Sequence, residues 1–399
     1  KPPADAQLNI VPEGAVLQYG EPYWWRVRIW NGRDEATQWS APAKFSVGPS
    51  DGDWQGKWIT AEWEKDAPMP YFRTVFDAES KPVRAVAYFC GLGCGDLYVN
   101  GALADETRVL DPAQTNYEQY ALYAAYDVTD RVKKGENCIG VMLGDGWYDQ
   151  GKVWGPGFSY GEPLMRLQLE VTYKDGSKQI VATDQSWTWA PGPVLSANIY
   201  AGETYDATRE IAGWSAPGSP QGNWRPAVEA GGIVPPSLRP QLMDPIRLKE
   251  SIEPVDLWQD EAGNWIFDFG VNVAAVPRIT VEQPAGTRLK MRMGECLAPD
   301  RSVEFITTGN GATGVIQTDE YICAGHGTET WTPRFTYHGF RYLELSGAAT
   351  TPDKSWIEAV IVHTDAPRRG EFECADEQIS RLHEMAVRTM LGNIHGLPT

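Results

Sequence analysis

The sequence predicts a mainly β protein: consecutive antiparallel sandwich domains followed by one long helix. Three observations carry this reading. The 399 residues include 40 Gly and 29 Pro, which interrupt helices and supply turns. They also include 17 Trp, 17 Tyr and 11 Phe, residues that favour strands. Apolar–polar alternation with a period of two recurs between turn signals, whereas a helical period emerges only after residue 375.

Each element has its own signal. In residues 21–30, Tyr23, Trp25, Val27 and Ile29 alternate with Trp24, Arg26, Arg28 and Trp30, the pattern of a strand. Asn31-Gly32 opens a turn and 44–47 is a second short strand. A whole sandwich needs about seven strands, so residues 1–50 read as the last part of one. Turn residues 49–53 form a linker. From 54 to 240, strands at 84–89, 96–99, 137–142 and 164–171, and the 174–177 hairpin turn leading to 179–182, predict a jelly-roll sandwich. Pro235, Pro236 and Pro240 mark its exit. From 246 to 366, strands at 265–269, 278–282, 288–293, 340–345 and 356–362 predict a second sandwich. No helical period separates them, which excludes a parallel α/β sheet. The Gly-rich stretch 309–314 lacks the Lys and following helix of a phosphate loop. Asp376 is a helix N-cap, and Ile379, Leu382, Met385, Ala386, Val387 and Met390 make an apolar stripe behind it. One such helix, opening a segment at 371–399, expects partners beyond this chain, so the sequence reads as cut at both ends.

The formal net charge of −18 repels phosphate backbones and anionic lipid, arguing against nucleic-acid or membrane-surface partners. No apolar run reaches the ~20 residues of a membrane helix. Six cysteines without a CxxC pair or a histidine cluster point to buried free thiols in strands. No nucleophile elbow appears, and no basic neighbour activates a thiol. Carboxylates at 51–66 and 373–377 read as solvated faces.

Several strings together resemble the bacterial α-L-rhamnosidases of glycoside hydrolase family 78. Tyr98-Val99-Asn100-Gly101, Tyr126-Asp127-Val128-Thr129, Leu143-Gly144-Asp145-Gly146-Trp147-Tyr148 and the 196–207 string are similar to the family's N-terminal sandwich. Residues 267–272 and 337–342 resemble its concanavalin-like domain, and 393–399 resembles the opening of its (α/α)6 barrel. The 21–30 strand with Gln38-Trp39-Ser40 resembles the end of a fibronectin-type domain. The resemblance spans essentially the whole chain. It implies the accessory β portion of an inverting enzyme that removes terminal α-L-rhamnosyl residues from glycans or glycosides. It also implies a bacterial periplasmic or secreted location, with the barrel of the same polypeptide as partner. In that family the two catalytic carboxylates follow the Leu-Pro-Thr string, so no residue here takes either role and the segment alone is expected to be inactive. A stand-alone carbohydrate-binding module, or another α/α-barrel glycosidase or lyase with similar β domains, remains an alternative.

Two loops carry the candidate sugar contacts. Asp145 and Trp147, flanked by Gly144 and Gly146, suit hydroxyl binding and ring stacking. The competing reading has Trp147 plugging the sandwich end and Asp145 capping a turn. Asn198, Tyr200, Glu203 and Asp206 gather the hard oxygens that bind sugar hydroxyls or calcium, or they order the sandwich edge. Hydrolysis requires no cofactor on this resemblance, and calcium, structural or bridging a ligand, is the metal it suggests. Of five histidines, none pairs at a metal-ligand spacing. His338 reads as a loop-holding residue, and His395 as one that approaches an active site in a longer chain.

Overall fold

The computed structural model describes residues 14, 16–62, 64, 67–231, 234–306 and 313–398. The chain divides into two units, Lys1–Trp54 and Gln55–Thr399. In the first, Pro22–Trp25 pairs antiparallel with Ala43–Ser46, Tyr23 opposite Phe45, their rings stacked at 5.5 Å. The predicted strand over 21–30 leaves the regular ladder after Trp25: the Val27 and Ile29 carbonyls still accept from Ser40 and Thr37 N–H (2.8 and 2.9 Å), but side chains take their N–H groups. Val27 N–H donates to Ser40 Oγ (3.0 Å) and Ile29 N–H to Thr37 Oγ1 (3.1 Å). Arg26 and Arg28 instead lie over the Trp39 ring, 4.8 and 4.6 Å from its centroid, a cation–π arrangement.

The second unit begins with a sandwich of two sheets. One runs, in order, Val228–Glu229, Ile59–Thr60, Leu164–Thr172, Arg84–Leu92, Ala121–Asp127 and Leu238–Pro240, with Lys178–Ala182 also on Leu164–Thr172. The other runs Arg225–Pro226, Thr188–Pro191, Pro70–Ala78, Gly135–Gly144, Cys94–Val99 and Ala102–Leu103. Alternate residues of both sheets meet in one core, with Phe72, Phe89, Leu143, Leu167 and Trp187 fully enclosed. The 174–177 turn joins the pair that the sequence predicts.

The second sandwich is built on a ten-stranded sheet whose spine is a single 18-residue strand, Trp265–Glu282. The sequence predicts two strands there. The structure fuses them across a bulge between Asp268 and Val273, where Gly270 takes φ 76° and Asp268 is clamped by both guanidinium arms of Arg341, each 2.8 Å long. The bulge bends the strand without ending it. A second departure concerns the hairpin Val194–Asn198 and Gly202–Asp206, which lies within the predicted 54–240 jelly-roll. It joins the second sandwich's sheet instead, Gly202–Asp206 running parallel to Thr318–Ile322. Gly202 (φ 111°) is required at this seam, since a Cβ would lie 2.0 Å from the Thr318 carbonyl oxygen.

The two sandwiches share a third apolar cluster, in which Met69, Tyr71, Met142 and Trp147 of one meet Val276, Phe335, Val360 and Val362 of the other. Within it sits a buried ion pair. Arg334 Nε and Nη2 reach the two oxygens of Asp96 at 2.6 and 3.0 Å, and the guanidinium also donates to the carbonyls of Glu106 (3.3 Å) and Arg108 (2.9 Å). Burial pulls the arginine's pKa down, but the Asp96 charge outweighs it and holds the value above the ordinary one.

Helix Glu377–Leu391 forms as predicted, with Asp376 accepting from Gln378 and Ile379 N–H. Its Val387 and Leu391 face Ile252, Val273 and Ile361 across a groove of about 350 Å3. Ile379, Leu382, Met385 and Met390 are exposed. The chain then turns into a short hairpin, Ile394–His395 with Leu397–Pro398. His395 is buried, stacked on Tyr337 at 3.8 Å, with Nε2–H donated to the Val362 carbonyl at 3.0 Å. Burial lowers its pKa to about 4, so it is a neutral docking residue.

Cys90, Cys94 and Cys138 are buried free thiols in strands as expected, whereas Cys323 is buried just past strand Thr318–Ile322, Cys296 is exposed and Cys374 is half-buried outside any strand. Cys138 does have a basic neighbour, Arg73 Nη2 at 3.5 Å, yet burial still raises its pKa. Asp51 and Glu62 are solvated, as are Glu373, Asp376 and Glu377, while Asp66 and most of the Gly-rich stretch 309–314 lie outside the described residues.

Removing one partner of a buried ion pair typically costs about 3–5 kcal/mol, because the other charge is left stranded. Arg334→Ala is therefore expected to destabilise the chain by roughly that amount in urea denaturation. A loss below ~1 kcal/mol, the range of exposed pairs, would show that Asp96 finds water instead.

Candidate functional site

The candidate site grows from the end of strand Gly135–Gly144. The chain turns there against another loop: a Cβ on Gly93 would lie 1.5 Å from the Asp145 carbonyl oxygen, and one on Gly146 (φ 50°) 2.6 Å from the Gly93 carbonyl carbon. The Gly-Asp-Gly sequence is thus a close-approach requirement. Trp147 and Tyr148 then turn inward and are only 2% and 1% exposed. Trp147 plugs the end of the sandwich, so it offers no stacking face to a sugar. Tyr148 packs with Tyr160 at 5.6 Å and edge-on to Tyr117 at 5.3 Å.

The loop continues through Gly151–Trp154 and Pro156–Phe158. It closes on itself by Gln150 N–H to Phe158 O (3.1 Å) and Tyr160 N–H to Tyr148 O (3.0 Å). Trp154 and Phe158 are 38% and 57% exposed. The half-buried Tyr200 meets Trp154 edge-on at 5.5 Å, and Asn198 Nδ2 donates to the Asp149 carbonyl at 3.4 Å. That bond joins the 198–201 turn to the loop.

Asp145 keeps partial access to solvent but is set deep. Burial, then the charges of Asp149 and Glu162, push its carboxyl up to about 8, against the opposing charge of Lys152. At neutral pH it carries a proton and can donate as well as accept a hydrogen bond. Trp154, Phe158, Asp149 and Glu162 were not singled out from sequence. The detectable signal was two aromatics flanking Gly155-Pro156-Gly157, a loop that must present them.

The second predicted group does not assemble as a ligand set. Asn198 Oδ1 accepts from Tyr200 and Ala201 N–H. Asp206 caps the turn Ala207–Arg209, accepting from Thr208 and pairing with Arg209 Nε at 3.1 Å. Glu203 is fully enclosed: Oε2 accepts from Arg334 and Phe335 N–H, both at 3.0 Å, while Oε1 is buried with no partner among the described residues. Burial, with the charges of Asp319 and Asp96, raises its pKa to about 8 despite the two N–H donors. Apart from Glu203 Oε1, these carboxylate and amide oxygens are engaged by neighbouring N–H groups and Arg209. Among the described residues, no three His, Cys, Asp or Glu converge to hold a metal. His338 sits in strand His338–Ser346 rather than in a loop, its Nε2 3.1 Å from both oxygens of Asp319.

Residues 80–250 match the α-L-rhamnosidase N-terminal domain, and residues 259–363 the bacterial α-L-rhamnosidase concanavalin-like domain. Residues 2–51 match a Rha78A-like N-terminal immunoglobulin domain rather than a fibronectin-type one. The two share a sandwich architecture that a few strands do not distinguish. The chain is 33% identical over 417 residues to an α-L-rhamnosidase of Formosa agariphila, covering 97% of this chain and 44% of the relative. Among solved structures it is similar to α-L-rhamnosidases of Dictyoglumus thermophilum (34% identity, TM-score 0.88, 97% of this chain, 44% of that one) and Aspergillus terreus (32%, 0.86, 96% and 45%). The chain thus spans less than half the length of these relatives.

Because the folded state holds Glu203 near 8, above its ordinary value, that group's contribution to stability is complete below about pH 4.5 and is lost as pH rises through 8. Glu203→Gln keeps an acceptor for both N–H groups. It is expected to gain on the parent between those limits, by up to about 1.4 kcal/mol per pH unit. Glu203→Ala is expected to be less stable than the parent throughout. Parallel stability–pH curves for the parent and Glu203→Gln would show that the carboxyl is already solvated.

Proposed function

By its N-terminal and concanavalin-like domains this chain belongs to the bacterial α-L-rhamnosidase family, and on that premise we propose that the whole protein hydrolyses terminal α-L-rhamnosyl bonds of glycans or glycosides. The observation that carries the reading is 33% identity along 97% of the chain to a protein of that activity. The reaction is proposed to proceed with inversion. One carboxylic acid protonates the glycosidic oxygen while a second carboxylate, about 6.5–9.5 Å away, activates water. Neither role falls to a residue of this chain. Helix Glu377–Leu391 supports a barrel in the same polypeptide, since its exposed stripe of Ile379, Leu382, Met385 and Met390 suits coverage by neighbouring helices.

Within the chain, the 145–162 loop with Tyr200 is the proposed sugar-facing surface. Trp154 and Phe158 offer flat faces to pyranose C–H groups. The protonated Asp145 offers a donor and an acceptor to hydroxyls. An uncharged contact group suits a neutral sugar, because it spends no desolvation energy on a charge. No helix of the described residues is long and apolar enough to cross a membrane. Action on external glycans is the setting proposed, which requires export.

The test is release of 4-nitrophenol from an aryl α-L-rhamnoside by protein carrying this chain together with the remainder of its polypeptide. The 399-residue segment alone is expected to give no turnover. Activity on another aryl glycoside with none on the rhamnoside would overturn the substrate assignment. In the active protein, Trp154→Ala is expected to raise KM about fivefold with kcat nearly unchanged, the loss of roughly 1 kcal/mol of stacking. An unchanged KM would remove this loop from the substrate surface.

A further inference from the structure

A cleft of about 570 Å3 lies against Tyr160 of the 145–162 loop, and none of the candidate sugar contacts read from the sequence lines it. Three stretches of chain build it. Residues 114–122 lead into and begin strand Ala121–Asp127, Tyr160 comes from the loop, and Met243 and Leu397 come from the segments after the two sandwiches. Its volume is within the ~300–1,000 Å3 of small-molecule sites.

The lining is chemically selective. None of its side chains is charged, in a chain whose residues are 22% charged and whose net charge is −18. Asn116 commits its Oδ1 to Glu118 N–H at 3.1 Å and leaves its amino group available. Gln114, half-buried beside it, brings a second carboxamide. Tyr160 is braced by Tyr148 at 5.6 Å and by Tyr117 at 5.2 Å, so its ring is held in place while its remaining surface lines the cleft. Leu122 and Met243 complete an apolar wall. Tyr120 is already covered by Arg239, 4.3 Å from its centroid, and Thr115 Oγ1–H is spent on the Tyr120 carbonyl at 2.8 Å. The open groups are therefore two carboxamides and one fixed phenol.

We propose that this cleft binds a neutral saccharide: carboxamides hydrogen-bond its vicinal hydroxyls, and the braced Tyr160 and apolar wall meet its C–H faces. A phosphate, a carboxylate or a divalent cation finds no charged partner among the lining side chains, the Arg239 guanidinium being stacked on Tyr120. A purely apolar ligand would leave two amides unsatisfied. The inference goes beyond the rhamnosidase reading and does not depend on it, because neither Asp145 nor Trp154 lines this cleft.

The experiment is calorimetric titration of the 399-residue chain with cellobiose, rutinose and methyl α-L-rhamnopyranoside, using digalacturonate as the charged comparison. Variants are Gln114→Ala, Asn116→Asp, which keeps the Glu118 acceptor, and Tyr160→Phe, which keeps the ring. Each is checked by its melting temperature. Saturable binding of at least one neutral probe is expected, weakened about tenfold by Gln114→Ala combined with Asn116→Asp, the equivalent of ~1.4 kcal/mol of hydrogen bonding. Trp154→Ala should leave the binding of cellobiose, which carries no rhamnosyl unit, unchanged. Three results would overturn the proposal: no saturable binding of any neutral probe, preference for digalacturonate, or binding lost in Trp154→Ala but kept in the cleft variants. Hydrolysis of rhamnosides by the longer protein is read separately and can fail or succeed independently.

Discussion

The Arg334–Asp96 pair fixes where the two sandwiches meet, and the candidate site inherits its geometry from that contact. The backbone N–H groups of Arg334 and Phe335 converge on Glu203, which locks the 194–206 hairpin. The Phe335 ring lies against Gly144, where a Cβ would come within 2.5 Å of it. Gly144 is the last residue before Asp145. One buried, bidentate charge pair therefore sets the position of the turn, the loop after it and the hairpin beside it. Two charges taken out of water seldom stabilise more than a well-packed apolar substitute would. Their contribution here is direction: only one register of the sandwiches gives both guanidinium arms, and both backbone N–H groups, an acceptor.

Asp145 and Glu203 show how depth decides the behaviour of a carboxyl in an acidic protein. Both are pushed up to about 8, chiefly by burial. Asp105 and Asp268, also partly buried, are held below their ordinary values because Arg247 and Arg341 reach them. Glu203 lies inside the joint and has no route to a ligand. Asp145 has the same electrostatic signature with access to solvent. A raised carboxyl pKa by itself thus does not mark function. It marks function only where the group can still be reached.

Much of the fold was legible because strands and turns are local. The 174–177 hairpin, the Asp376 cap and most core strands follow from period and turn chemistry. What escaped was non-local. Nothing between 194 and 206 announces that this hairpin will pair with Thr318–Ile322, since the partner is more than a hundred residues away. The fusion of 265–269 with 278–282 depended on a bulge stabilised by Arg341, again distant in sequence. The site was legible as a region but not residue by residue. Trp147 and Glu203 have the composition of ligand contacts, and only burial shows them to be structural. Trp154, Phe158 and Gln114 are ordinary in sequence; the first two become distinctive through exposure and the third through its place in the cleft.

The hairpin that crosses from one sandwich into the sheet of the other bears on how such a protein can be inherited. Separating the two sandwiches at the apparent boundary near 240 would strip Thr318–Ile322 of its neighbour and bare a sheet edge, an invitation to pair with other chains. The same cut would leave Glu203 and its hairpin without their acceptor and donor partners. Recombination at that point would be purged, whereas exchange of the whole pair would be tolerated. The two sandwiches therefore travel as one cassette, and the smallest piece that evolution or an engineer can move intact is larger than either sandwich.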